Sequence, residues 1–149
     1  MVRMVLTVML LISIMIINDD SALGLCVEAS EANLRSGPSE DSAKTWVVYQ
    51  YMPFENIEKK GKWFRVRDVD GDEHWILSAL VTSRMKCAVV KVNKANVRVR
   101  PADNADMTNI SPVNKYYAFK VLRISNNWVQ VKDENNNAGW INKELIWIN

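Results

Sequence analysis

Along most of the chain apolar and polar residues alternate in short runs, and no window carries a sustained apolar stripe at helical spacing. Phe64-Arg65-Val66-Arg67-Asp68-Val69 alternates as a half-buried strand does. Asp70-Gly71 follows, a pair suited to a tight two-residue hairpin, and Asp72 to Leu77 reads as the returning strand. Two further runs, Trp46 to Tyr51 and Tyr116 to Leu122, are rich in β-branched and aromatic residues. Asn135-Asn136-Asn137 supplies another turn, since asparagine tolerates positive φ better than other non-glycine residues. The pattern predicts an all-β chain of short antiparallel strands that curl to shorten or remove their edges.

The pattern also occurs twice. Ala32-Asn33-Leu34-Arg35-Ser36-Gly37-Pro38 returns as Ala95-Asn96-Val97-Arg98-Val99-Arg100-Pro101. Trp63-Phe64-Arg65-Val66, with Trp75-Ile76 and Leu80, returns as Trp128-Val129-Gln130-Val131, with Trp140-Ile141 and Leu145. Cys26 and Cys87 open the two copies. A repeat of about 60 residues is too long for common solenoid periods and suits two small tandem domains. The predicted division is 25–82 and 87–149, each a small antiparallel barrel of five or six strands, with a short linker at 83–86. So short a linker implies modules packed together.

Residues 1–24 belong to neither copy. Arg3 precedes an apolar run from Val5 to Ile17, and Ala22-Leu23-Gly24 places small residues where a signal peptidase reads them. A secretory signal peptide cut between Gly24 and Leu25 is expected, with no stable membrane insertion afterwards. Leu25 before Cys26 does not suit a lipid-attachment site. The expected location is the periplasm or cell envelope. That setting favours a Cys26–Cys87 disulfide, with two separately buried thiols as the alternative. The formal net charge of +2 argues against a dedicated nucleic-acid binder.

Reactive groups are scarce. His74 is the single histidine, and pairing it with Cys26 or Cys87 as a nucleophile competes with the disulfide. No catalytic residues are assigned. Two cysteines and one histidine without close spacing make a poor zinc set. Asp68, Asp70, Asp72 and Glu73 crowd one turn, but Gly71 comes too early for a calcium loop and no distant glutamate completes it. A solvated hairpin tip is the simpler reading, so no metal or cofactor is expected.

Asn33-Leu34-Arg35-Ser36-Gly37-Pro38, the Trp-x-x-Val strands, Gly139-Trp140-Ile141 and the closing leucines together resemble bacterial SH3-like (SH3b) domains. The resemblance runs from residue 26 to 147; Val99-Arg100 and His74 depart from its pattern. It implies a tandem pair of SH3-like barrels acting at the cell envelope, where such modules often accompany peptidoglycan hydrolases. In SH3-type barrels a tryptophan at a strand start commonly lines a shallow peptide groove. Trp63 and Trp128 are therefore candidate groove residues, with Trp63 expected to be the more exposed; core or inter-module packing is the alternative. Trp75 and Trp140 are expected in the core. Asn33, Arg35, Asn96 and Arg98 recur and are candidate ligand contacts, although turn hydrogen bonds and bridged loop carbonyls explain them better. The expected partner is a cell-wall peptide or an envelope protein. The alternatives are a structural scaffold for another envelope protein and a regulator of a cell-wall hydrolase.

Overall fold

The computed structural model describes residues 23–149. The first module contains β1 (Gly24–Val27), β2 (Glu31–Arg35), β3 (Lys44–Tyr49), β4 (Pro53–Lys60), β5 (Trp63–Arg67), β6 (Glu73–Leu77) and β7 (Val81–Thr82). They form one antiparallel sheet in the order β3-β2-β6-β5-β4-β1-β7. The second module contains β8 (Cys87–Val90), β9 (Lys94–Ala95), β10 (Val113–Asn114), β11 (Ala118–Ser125), β12 (Trp128–Lys132), β13 (Ala138–Asn142) and β14 (Ile146–Ile148). Here a five-stranded sheet, β13-β12-β11-β8-β14, accompanies the two-stranded pair β10-β9.

The all-β tandem architecture is as expected, with a difference in strand number. Each module has seven strands rather than five or six, because pieces as short as β7 and β9 are too brief to show an alternation. No complete ring of ladder hydrogen bonds forms: β3 and β7 end the first sheet, and β13 and β14 end the larger sheet of the second. The expected signal segment lies outside the described residues except for its last two positions. Of these, Leu23 is exposed and Gly24 pairs with Glu55.

The Asp70-Gly71 hairpin is corrected. Arg67 pairs with Glu73, so β5 and β6 are joined by the longer loop 68–72. Asp68 dictates this loop, because its Oδ1 accepts the backbone N–H groups of Asp70 and Asp72, each at 2.9 Å. Such a carboxylate-centred turn replaces the tight one. Gly71, at φ 89°, takes the left-handed position, and Asn136, at φ 64°, takes it in the second module.

The repeat is unequal in one place. β3 is a six-residue strand rich in β-branched and aromatic residues, whereas its counterpart in the second module shrinks to Val113–Asn114. Pro112 sits directly before that strand and has no N–H to give to a ladder.

The core sits on both sides of β8. All four of its residues are buried. Val89 packs into the first module's core with Leu25, Val27 and Phe54, while Ala88 and Val90 pack into the second module's core with Phe119 and Ile141. Period-two alternation thus gives each module one face of the same strand. Ala118 and Trp147 also lie against the first core. Cys26 and Cys87 form a disulfide across this junction, with Cα atoms 5.9 Å apart. Beside it, Asn149 accepts the Cys87 N–H at 2.9 Å and donates to the Leu25 carbonyl at 2.8 Å.

The disulfide links residues 61 positions apart in sequence. Replacing both cysteines by alanine should cost about 4 kcal/mol in the loop-entropy picture. Urea unfolding of the double variant should show a lower midpoint with native strand content retained in water; an unchanged midpoint would contradict this account.

Candidate ligand groove between the modules

The recurring arginines do the same job in each copy. Arg35 Nη1 donates to the Ser42 carbonyl at 2.9 Å, and Arg98 Nη1 donates to the Ala105 carbonyl at 2.7 Å. Each guanidinium pins the loop that follows its strand. Asn33 and Asn96 are half-buried nearby in sequence.

The two candidate tryptophans part company. Trp63 is 8% exposed, which reverses the expectation that it is the more open of the pair, and Trp128 is half-buried. Their cross-strand partners explain the difference: Trp63 faces Leu77, and Trp128 faces Asn142. An apolar neighbour covers the first ring, while a polar one leaves the second at the edge of a cleft of about 390 Å³. That cleft also takes in Lys94, Asn96, Arg98 and Glu144. The second module therefore gathers Asn96, Arg98 and Trp128 around one cavity. Trp140 is buried at 6%, as expected, whereas Trp75 is only half-buried.

A groove of about 370 Å³ between the modules involves other residues. Trp46, Tyr49 and Met52 come from the first module, and Tyr116, Tyr117 and Glu134 from the second. Tyr49 is 55% exposed. The Trp46 and Tyr116 rings meet edge to face at 5.1 Å. Tyr116 has φ 72°, a left-handed conformation that is costly for a bulky residue and persists only where its surroundings impose it. Tyr51, its counterpart in the first module, turns the chain in the same way at φ 71°. Sequence reasoning missed the groove. The usable signal was that Trp46 and Trp147, alone among the six tryptophans, do not recur in register. Both lie at the junction between modules.

Asp70 latches the groove wall in place. It accepts hydrogen bonds from the Tyr116 hydroxyl and from Lys115 Nζ, the latter at 2.9 Å. The Lys115 ammonium also lies 4.9 Å from the Tyr116 ring centroid. The tip of the β5–β6 loop is thus engaged by the second module rather than simply solvated. Hydrogen bonds from Tyr116 and then Lys115 hold the Asp70 carboxyl below the usual aspartate range. The same contacts to Asp70 raise Lys115 and Tyr116 above their ordinary values.

Behind the latch, a hydroxyl, an imidazole and a carboxylate form a chain. Thr45 Oγ1 lies 2.8 Å from His74 Nδ1, and His74 Nε2 lies 3.0 Å from Asp68 Oδ2. Asp68 is buried, and its other oxygen already accepts two backbone N–H groups. With the carboxylate as acceptor, the imidazole proton is assigned to Nε2, leaving Nδ1 to accept from Thr45. This arrangement has the outline of an activated nucleophile, yet Asp70 and Asp72 line the same recess. Carboxylates there oppose the oxyanion that acyl transfer must develop. The chain instead braces β3 against the β5–β6 loop. No group of three or more metal-ligating side chains occurs among the described residues.

The second module braces the equivalent carboxylate differently. Asp133 accepts from the backbone of Asn135 and Asn137, from the Asn137 side chain, and from the Tyr117 hydroxyl at 2.8 Å. Burial would raise its pKa, but these hydrogen bonds prevail and hold it below the usual range. Burial, with Asp133 alongside, pushes the Tyr117 phenol up to about 12.

Two outcomes test this geometry. Trp63→Ala and Trp140→Ala should each cost about 3–5 kcal/mol, and Trp128→Ala distinctly less. Thermal melts of the three variants would show the order, and equal losses would contradict it. For Asp70, a depressed carboxyl stabilises the fold above the ordinary aspartate value of about 3.9 and loses that contribution as pH falls through its own lower value. The melting-temperature gap between wild type and Asp70→Asn should therefore narrow as pH falls from about 5 to below the ordinary aspartate value of about 3.9. A constant gap would show that the latch carries no charge-dependent stability.

The chain matches the bacterial SH3 domain family model twice, over residues 28–82 and 91–147. No curated protein matches it. Among solved structures it is similar to an NlpC/P60 family protein from Bacillus cereus ATCC 10987, with 12% identity and a TM-score of 0.39. That match covers 85% of this chain and 56% of the other. It is also similar to NlpC2 from Trichomonas vaginalis, with 12% identity, a TM-score of 0.36, and coverage of 83% and 47%. The chain thus spans about half the length of these structures, and likenesses this distant say nothing about its chemistry. Two matches that between them take in most of the chain, together with the duplicated strand pattern and the paired loop-pinning arginines, make it a member of the bacterial SH3 domain family.

Proposed function

We propose that this chain is an exported, non-catalytic binding protein of the cell envelope, whose ligand is a cell-wall peptide or a protein segment held in the groove between its two modules. Family membership and the disulfide point to an extracytoplasmic protein, and the sequence before Leu25 reads as an export signal. Among the described residues, no helix is long and apolar enough to cross a membrane.

One observation carries the reading. The groove places an exposed tyrosine, Tyr49, and a latched one, Tyr116, around an apolar floor braced by a shared core and a disulfide. Pre-organised aromatic surface of this kind loses little entropy on binding. The cleft beside Trp128 supports a second, more polar contact surface, in which Asn96 and Arg98 join that ring. Their counterparts Asn33, Arg35 and Trp63 are proposed to hold the first module's loop and core in shape, with Trp63 buried.

The experiment is retention of the mature protein on purified peptidoglycan and, separately, on immobilised envelope protein extract. Tyr49→Ala should weaken retention by more than tenfold, the loss of about 2 kcal/mol typical of an aromatic contact at the centre of an interface. Full retention of Tyr49→Ala, with loss in Trp128→Ala, would move the site to the second module. Retention of neither wild type nor variants would overturn the proposal.

A further inference from the structure

The groove has an unusual wall. Residues 46–50 line it consecutively. Side chains along a strand point alternately to opposite faces, so an unbroken run can border one cavity only along the strand's edge. That edge is free: β3 ends its sheet and has one strand neighbour, β2, in register from Glu31↔Tyr49 to Leu34↔Trp46. Every second residue of β3 therefore turns its N–H and C=O away from β2 and towards the groove. Residues 114–118 form the facing wall. There the N–H groups of Lys115, Tyr116 and Tyr117 are already bonded to carbonyls of their own module. On β3 the Tyr49 carbonyl already accepts the Met52 N–H at 3.2 Å, and the other outward-facing groups of the strand remain to form a ladder that the facing wall does not offer.

Charge indicates the occupant. Lys115 is paired with Asp70, and Asp133 is committed to its own turn and to Tyr117. Glu134 in the groove and Asp72 in the adjoining recess are exposed, and neither joins an ion pair among the described residues. The uncommitted formal charge lining the groove and the recess is negative. The floor, formed by Val48, Met52 and Ala118, is apolar.

We propose that the groove captures an extended peptide segment with alternating apolar and basic residues, which adds to β3 as a further strand of the first module's sheet. Main-chain hydrogen bonds to β3 provide affinity independent of sequence; the apolar side chains enter the floor, and the basic ones meet Glu134 and Asp72. The free edge of β3 then has a use, where an exposed apolar edge would otherwise be a site of aggregation. This inference deepens the binding reading above and rests on it for the location of the site.

The probe is the peptide acetyl-Val-Lys-Val-Lys-Val-amide, titrated to millimolar concentration into the mature, disulfide-bonded protein and followed by NMR and amide hydrogen exchange. Binding should slow exchange at alternate amides of β3. N-methylation of one alternating set of peptide amides should abolish binding, while methylation of the other set leaves it within about threefold of the parent, because only one set faces β3. Glu134→Gln should weaken the parent several-fold, and replacing the peptide's lysines by glutamates should weaken it at least tenfold. Absence of any β3 response, or equal binding by both methylated peptides, would overturn the proposal. So would protection of β3 without peptide in a concentration-dependent dimer, which would assign the edge to a second copy. Failure to retain the protein on envelope material, with peptide capture intact, would refute the envelope reading and leave strand addition standing.

Discussion

β8 is a single strand with two cores. Ala88 and Val90 face one way and Val89 the other, so the alternation that ordinarily separates core from solvent here separates one module from the other. A strand buried on both faces must be apolar throughout, and Cys87-Ala88-Val89-Val90 is. The first module is consequently incomplete without the second. Removing the second copy would take Val89 and Trp147 away from a core that includes Val27 and Phe54, and would open it to water. The disulfide and the Asn149 hydrogen bonds fasten a junction that apolar burial already specifies. The groove and the latch lie between modules that this shared strand, the disulfide and the Asn149 hydrogen bonds hold together.

The duplicated sequence shows how two copies solve one problem with different residues. Each module centres a turn on a buried aspartate, Asp68 or Asp133, that accepts two backbone N–H groups. The remaining carboxylate oxygen also needs donors, since a buried anion without them is costly. In the second module Tyr117 and Asn137 supply them, and in the first His74 does. The exchange is coupled. His74 stands where the second copy has Gly139, and Met52 stands where it has Tyr117. Gly139 has no room to change, because a Cβ there would lie 2.6 Å from Val97 Cγ1 and 3.0 Å from the Arg98 carbonyl oxygen. The departure from the family pattern at His74 is thus a relocated donor, and the hydroxyl–imidazole–carboxylate chain follows from it.

The strands, the duplication and the cysteine pairing were legible in the sequence because each depends on neighbours along the chain or on a repeated register. Phe64 to Arg67 alternates, and it is a strand. Asp70-Gly71 misled because the turn is governed by Asp68, two residues earlier, whose side chain competes with the expected tight hairpin. Trp63 misled because exposure depends on what lies across the ladder; Leu77 and Asn142 occupy matching positions but are opposite in polarity. The groove was hidden for a different reason. Its residues come from both copies, and a reading that aligns the copies discards what they do not share. Trp46, Tyr49 and Glu134 carry no repeat signature.

This also bears on where function arises in a duplicated protein. Features common to both modules, such as the paired Arg35 and Arg98 or the buried turn aspartates, satisfy backbone groups inside each module. The left-handed turn at Tyr51 and Tyr116 is common to both as well, so the backbone that carries the Tyr116 ring belongs to the repeat. What that ring does is not repeated. Tyr116 and Lys115 reach out of their own module to Asp70, satisfying nothing that a single module requires. An exposed ion pair contributes only modestly to stability, so stability alone does not account for the latch. It is better explained by what it positions: the Tyr116 ring against Trp46, closing one side of a groove whose other side is an unpaired strand edge. Pairing two modules around a shared strand creates a cleft that neither has alone, lined both by residues outside the repeat, such as Trp46, Tyr49 and Glu134, and by a repeated residue put to a new use, Tyr116.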